Sequence, residues 1–240
     1  MEHWFEAGHV AIVTGGSRGL GKALARELLG RGLRIVIDGR DPAALAAAVA
    51  ELRPLGDIAG IAGDVSDEAH LDALVAAAAE RGRLDLLVNN ASTLGEVPLP
   101  RVDALSHATL LRLFDVNVNA PILLVRRALP LLQRAELATI VNITSDAGVE
   151  AYPAWGGYGA TKAALEHVSR VLAAELAETP VRVLVADPGD MDTQMHRDAI
   201  PDADPAELRD PADSARALLH AIAGMREPFE RVRLSAIAVA

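Results

Sequence analysis

The chain has 240 residues, 51% of them hydrophobic, no cysteine and a formal charge of −10. That length suits one α/β domain with a full core, and the acidity leaves no footprint for nucleic acid or an anionic membrane. Without cysteine there is no disulfide framework, thiol nucleophile or thiolate metal site, and the cytosol is the expected compartment. The opening Met1-Glu2-His3-Trp4-Phe5-Glu6 carries acids and no apolar signal core, and no apolar run reads as long enough to cross a bilayer.

Apolar β-branched runs alternate with Ala/Leu/Arg stretches of helical period, the pattern of βαβ units around a parallel sheet. Strands are predicted at residues 9–14, 33–38, 58–62, 84–89, 139–144, 181–186 and 231–237. Seven such strands make a doubly wound α/β fold with helices on both faces, a single domain over residues 1–240. Asp41-Pro42 and Asp210-Pro211 each set an acidic N-cap before a first-turn proline, while Ser66-Asp67-Glu68 supplies a cap and two acids. Residues 103–134 read as one long helix that Pro121 and Pro130 bend or shorten.

Between the first strand and first helix lies Thr14-Gly15-Gly16-Ser17-Arg18-Gly19-Leu20-Gly21. Glycines permit a tight bend and let backbone approach a pyrophosphate, and the helix N-terminus offers free N–H groups to its charge. Further on stand Ser145, Tyr158 and Lys162. The four-residue step from Tyr158 to Lys162 puts an ammonium and a phenol on one helix face. A phenol titrates near ~10, and a neighbouring ammonium is expected to lower it by favouring phenolate. Such a phenol gives a proton to a substrate oxygen in reduction and removes it in oxidation. The chain has 21 arginines against two lysines, Lys22 and Lys162, and arginine substitutes poorly where a compact ammonium must reach a phenol.

On these motifs the chain resembles the short-chain dehydrogenase/reductase family in its compact single-domain form. The glycine spacing is followed in order by Asp64-Val65, Asn89-Asn90-Ala91-Ser92, Asn117, Ser145, Tyr158, Lys162 and Pro188-Gly189. The resemblance implies a Rossmann fold and a nicotinamide dinucleotide held by Gly15, Ser17, Arg18, Gly19, Leu20, Gly21, Arg40, Asp64, Val65, Asn90, Pro188, Gly189, Met191 and Thr193. It also implies that Lys162 grips the nicotinamide ribose beside Tyr158, that Asn117 holds a water relaying protons to Lys162, and that Ser145 holds the substrate oxygen. The glycine-rich final segment that helps many relatives form tetramers is missing, which favours a homodimer. Its surface is read at Ala160, Ala163, Ala164, Val168 and Val171, which packing against the sheet would account for equally well.

Family members that use NAD carry an acid at the tip of the second strand, and here that position is Gly39. Arg40 and Arg18 suit the 2′-phosphate of NADP, and Asp38, one residue early, is expected to face the other side of the strand. NADP(H) is the expected cofactor; a local shift that brings Asp38 to an NAD ribose is the alternative. Residues 190–209 follow the sixth strand where ligands bind in open parallel sheets, and their Met191, Met195, His196 and Ile200 suggest a mobile lid. With Leu94, Tyr152 and Trp155 this lid would form an apolar pocket for a ketone or secondary alcohol, unless it is only a surface connection. The seven histidines show no ligand spacing, so a surface role is expected and no metal. The expectation is an NADP(H)-dependent carbonyl reductase or alcohol dehydrogenase; a dinucleotide sensor without turnover is the rival.

Overall fold

The computed structural model describes residues 5–237. Seven strands form one parallel sheet in the order β3-β2-β1-β4-β5-β6-β7. They are β1 Val10–Val13, β2 Arg34–Gly39, β3 Ile58–Ala62, β4 Leu86–Asn89, β5 Ala138–Ile143, β6 Val181–Asp187 and β7 Phe229–Arg233. Among the described residues, eight α-helices accompany them: α1 Gly19–Gly30, α2 Pro42–Leu52, α3 Glu68–Ala79, α4 His107–Phe114, α5 Ala120–Leu132, α6 Gly156–Glu175, α7 Gln194–Ala199 and α8 Pro211–Gly224.

The alternation of β side chains divides the interior in two. Ala11 and Val13 of β1 point into a layer with Leu24 and Leu28 of α1 and Leu218 and Ile222 of α8, whereas Val10 and Ile12 join Leu74 of α3 and Leu124 of α5. All four residues of β1 are completely buried, as expected of a central strand covered on both faces. The strand order reverses between β1 and β4, and the crevice at their carboxyl ends is where such sheets bind ligands.

Several elements differ from the sequence expectation. The last strand occupies Phe229–Arg233, and Leu234–Ala236 turn into a 3₁₀ segment instead of continuing to residue 237. Leu234 is fully buried there, so its apolar character serves the core without belonging to the ladder. The cap of α3 is Asp67, which accepts from the Ala69 N–H, while Ser66 gives its N–H and hydroxyl to Asp64. Asp41 and Asp210 cap α2 and α8 as expected.

Residues His107–Leu132 run as one helix, and neither proline breaks it. A π-helical turn at Asp115–Asn119 precedes Pro121. Because Pro121 has no N–H, the Asn117 carbonyl four residues back lacks its α-helical donor, and the wider turn absorbs the mismatch. Contrary to the sequence reading, this helix is long and apolar enough by composition to cross a bilayer, but half of its apolar stretch is buried in the protein.

Candidate active site

The glycine turn is built by close backbone approach. A Cβ on Gly21 would lie 2.4 Å from the Gly15 carbonyl oxygen, and one on Gly16 2.6 Å from Ile37, so only glycines let the turn fold onto β2 and its own helix. Gly15 and Gly19 also have φ of +66° and +53°. Thr14 and Asn90 lock the turn to the loop after β4: the Thr14 hydroxyl accepts from the Asn90 and Ala91 N–H groups at 3.0 Å, and the Asn90 amide donates to the Thr14 carbonyl at 2.8 Å. The result is a concave backbone surface at the N-terminus of α1, which matches a pyrophosphate.

A cleft of about 760 Å³ runs over this turn along the carboxyl ends of the strands. Gly15, Ser17, Arg18, Gly19, Leu20, Arg40, Asp64, Val65, Asn90, Pro188, Gly189, Met191 and Thr193 line it, as do Ser145, Tyr158 and Lys162. Gly21 lies beneath, serving packing. Asp64 borders the cleft and also shapes the turn before α3, where it accepts from the Ser66 N–H and hydroxyl. Partial burial raises its carboxyl, but bonds from Arg112 and Ser66 prevail and hold it at about 2.

At the other end, α6 is pressed against the turn that carries Ser145. A Cβ on Gly159 would sit 2.2 Å from the Ala147 carbonyl oxygen, so a glycine at this position lets the helix approach. Tyr158 is buried, with its ring edge-on to Trp155 at 5.7 Å. The Lys162 ammonium stands 5.3 Å from the centre of that ring and donates to the Ile143 carbonyl at 2.9 Å. Burial lowers this ammonium to about 8. The same burial pushes the Tyr158 phenol above its ordinary value, outweighing the hydroxyls of Ser92 and Ser145, and the Asp187 charge adds to the rise. The expected lowering of the phenol by Lys162 is thus overturned in this arrangement, because desolvation is the larger effect.

Asn117 is not a cleft-lining group. Its amide is buried and fully used, accepting from the Thr93 N–H and the Ser92 hydroxyl and donating to the Thr93 carbonyl and Thr161 hydroxyl, all within 2.9–3.0 Å. It ties the loop after β4 to α6 one residue before Lys162.

Leu94, Trp155, Met195 and His196 line the cleft, whereas Tyr152 stays at its exposed rim and donates to Asp146 at 2.9 Å. Residues 190–209 leave and return as a pair: the Asp192 N–H donates to the Arg209 carbonyl and the Arg209 N–H to the Asp190 carbonyl, each at 2.9 Å. Between them lie α7 and a 3₁₀ turn at Pro205–Glu207.

Sequence reasoning missed two groups. Asp146 accepts the Ser145 hydroxyl at 3.1 Å, so Ser145 must turn its proton away from a carboxylate to meet a substrate oxygen. Its position next to Ser145 was the available signal. Asp38 does face the other side of β2, but its partner is His70, which is buried and not a surface residue as expected. Among the described residues no cluster of three or more His, Asp or Glu is arranged to hold a metal ion.

The profile of the short chain dehydrogenase family matches residues 9–204. The chain belongs to that family. A rhamnolipid-biosynthesis 3-oxoacyl-[acyl-carrier-protein] reductase of Pseudomonas aeruginosa is 38% identical over 87% of this chain and 81% of its own. Among solved structures, the P. aeruginosa RhlG/NADP complex superposes with a TM-score of 0.84 at 33% identity, covering 97% of both chains. A 7α-hydroxysteroid dehydrogenase in complex with NADH and 7-oxo glycochenodeoxycholic acid gives 0.86 at 26% identity, covering 97% of this chain and 94% of that one. The chain is therefore an oxidoreductase of this family with a seven-stranded Rossmann fold, and its neighbours include both an NADP and an NADH complex.

Proposed function

We propose that the protein reduces a ketone, or oxidises the matching secondary alcohol, with NADP(H) as cofactor and Tyr158 as the general acid/base. The observation that carries this reading is the convergence of Ser145, Tyr158 and Lys162 in one cleft with the glycine turn. The bound dinucleotide supplies or accepts the hydride. In reduction Tyr158 passes its phenolic proton to the substrate oxygen, and Ser145 swings from Asp146 to hydrogen-bond the same atom. The phenolate left behind is stabilised by the Lys162 ammonium and reprotonated through it from a water on the Asn117 carbonyl, the acceptor freed by Pro121.

The cofactor choice rests on Arg18 and Arg40, exposed at the adenosine end, neither of which has an ion pair or side-chain hydrogen bond among the described residues. Gly39 adds to it, since glycine there offers no carboxylate to repel a 2′-phosphate. Arg40→Ala is expected to weaken NADPH binding about 10–100-fold, the loss of a charge-assisted contact, with NADH little changed. Equal weakening of both would favour NAD.

Leu94, Trp155 and Met195 give the substrate end an apolar wall suited to a cyclic or hydrophobic body. An acidic acyl carrier is disfavoured by the net charge of −10. A rate gain of orders of magnitude for a carrier-linked thioester over its short mimic would reverse that. The rival is a sensor that binds dinucleotide without turnover, supported by the engagement of Ser145 with Asp146. A broad carbonyl panel with NADPH decides: oxidation of NADPH by any member excludes the sensor. We further propose a cytosolic homodimer through α5 and α6, whose Ile122, Ala160, Ala163 and Val171 are exposed and leave the face free of the sheet. Light scattering that shows only a 25.2 kDa species at micromolar concentration would refute the dimer.

A further inference from the structure

We infer that His70 sets cofactor selectivity by holding the Asp38 carboxylate turned away from the adenosine ribose; this rests on the NADP(H) reading above. A carboxylate at the tip of β2 that reaches both ribose hydroxyls serves the unphosphorylated dinucleotide and repels a 2′-phosphate. At that tip this chain carries one acid, Asp38, and it borders the cleft although only 1% exposed. One of its oxygens accepts the Gly15 N–H at 2.5 Å and the other meets His70 Nε2 at 2.9 Å. Both bonds point inward, so the carboxylate shapes the glycine turn instead of facing the ribose.

His70 is itself held. It sits in the first turn of α3, 5% exposed at its side chain, and its ring covers Gly63, where a Cβ would fall 2.2 Å from Nδ1. The ring is buried and packed over Gly63 with Nε2 in hydrogen-bond reach of Asp38, where an ionised carboxylate requires the tautomer that carries its proton on Nε2. A leucine would fill the same volume without burying a polar pair, and such pairs add little net stability. The Gly15 bond needs only one carboxylate oxygen. The second oxygen explains the histidine: deprived of its donor it would be buried and unsatisfied, and rotation into the cleft, toward water and ribose hydroxyls, relieves that. A released Asp38 would also offset the charges of Arg18 and Arg40.

The test compares the Kd values of NADPH and NADH, measured by calorimetry, for the wild-type protein and for His70→Leu, His70→Gln and His70→Asn. Wild type is expected to prefer NADPH. In His70→Leu the preference ratio should move toward NADH by about tenfold or more, while His70→Gln, long enough to keep donating to Asp38, should stay within about threefold of wild type. His70→Asn, too short to reach, should follow the leucine variant and carries the comparison if that variant does not fold. Adding Asp38→Ala to His70→Asn should abolish the shift. A purely structural role would weaken both nucleotides alike. An unmoved ratio in His70→Asn, or the same shift in His70→Gln, overturns the inference alone; a wild-type preference for NADH overturns the NADP(H) reading with it.

Discussion

The two sides of the cleft are built by opposite rules. The catalytic wall, where Tyr158 and Lys162 of α6 press on the Ala147 turn, is close-packed: Lys162 is 2% exposed, Thr161 is fully buried, and the Asn117 amide that braces them has every donor and acceptor used. The roof, residues 190–209, contains no buried residue and is pinned by an isolated parallel bridge between Met191 and Arg209 and by the Arg209 guanidinium on the Leu234 carbonyl, with surface ion pairs such as Arg197–Asp192. Rigid packing holds proton-transfer geometry, where small displacements are costly, whereas a loosely tethered segment tolerates changes of shape. On the proposed function, this places chemistry in the wall and specificity in the roof. Substitutions in the wall should act on kcat, and those in the roof on KM.

The strongest test of the wall is Tyr158→Phe. It removes the transferable proton and little volume, so turnover should fall by about 10³-fold or more while NADPH binding stays within about threefold. Retention of a tenth of wild-type turnover would remove Tyr158 from the chemistry. Next comes Gly159→Ala, which touches no substrate. The added methyl must push α6 off the Ala147 carbonyl, and the resulting misplacement of Tyr158 against Ser145 should cost about 10²-fold in kcat. Overpacking should also cost about 1–3 kcal/mol in urea unfolding. A variant with normal kcat would show that the wall is softer than its contacts imply.

The buried ammonium gives the wall a pH signature. Folding lowers Lys162 from 10.5 to about 8. Below that value both folded and unfolded chains carry the proton, the folded one at a desolvation cost. Between about 8 and 10.5 the unfolded chain keeps a proton that the folded chain has lost, so this residue makes stability rise with pH across that window, by about 1–3 kcal/mol. In Lys162→Met that part of the rise should vanish. Parallel pH profiles for the two proteins would mean that the ammonium is not desolvated as its burial implies.

Legibility in the sequence followed the same division. The wall and the glycine turn were readable because their chemistry is local: Tyr158 and Lys162 are one helical turn apart, and the turn glycines all fall between Gly15 and Gly21. The partners that aim these groups were not. Asp38 and His70 are separated by 32 positions and meet only because β2 and α3 are brought together. Asn117 and Thr161 are separated by 44. Burial misled twice. Leu234 and Ile237 read as strand because they are apolar, yet they pack against the core from beyond the end of β7. The Tyr158–Lys162 pair read as a lowered phenol because spacing reports proximity and not desolvation.

The roof should show the smallest effects, and Arg209 is the place to look. Its guanidinium donates to the Leu234 carbonyl at 2.6 Å, which ties the end of the roof to the turn after β7. Arg209→Ala removes this tie and leaves the Met191–Arg209 backbone ladder intact. The expected result is KM raised about threefold for the best ketone of the panel, with kcat and NADPH affinity changed by less than about twofold. Limited proteolysis gives an independent reading. In the wild type, ligand plus NADPH should slow cutting within residues 190–209, and the variant should be cut about threefold faster in the free state. If cutting is indifferent both to ligand and to Arg209, the segment is a surface connection and specificity resides in Leu94 and Trp155. A fall in kcat without a change in KM would instead mean that the roof bears on the wall, and the division between them would have to be given up.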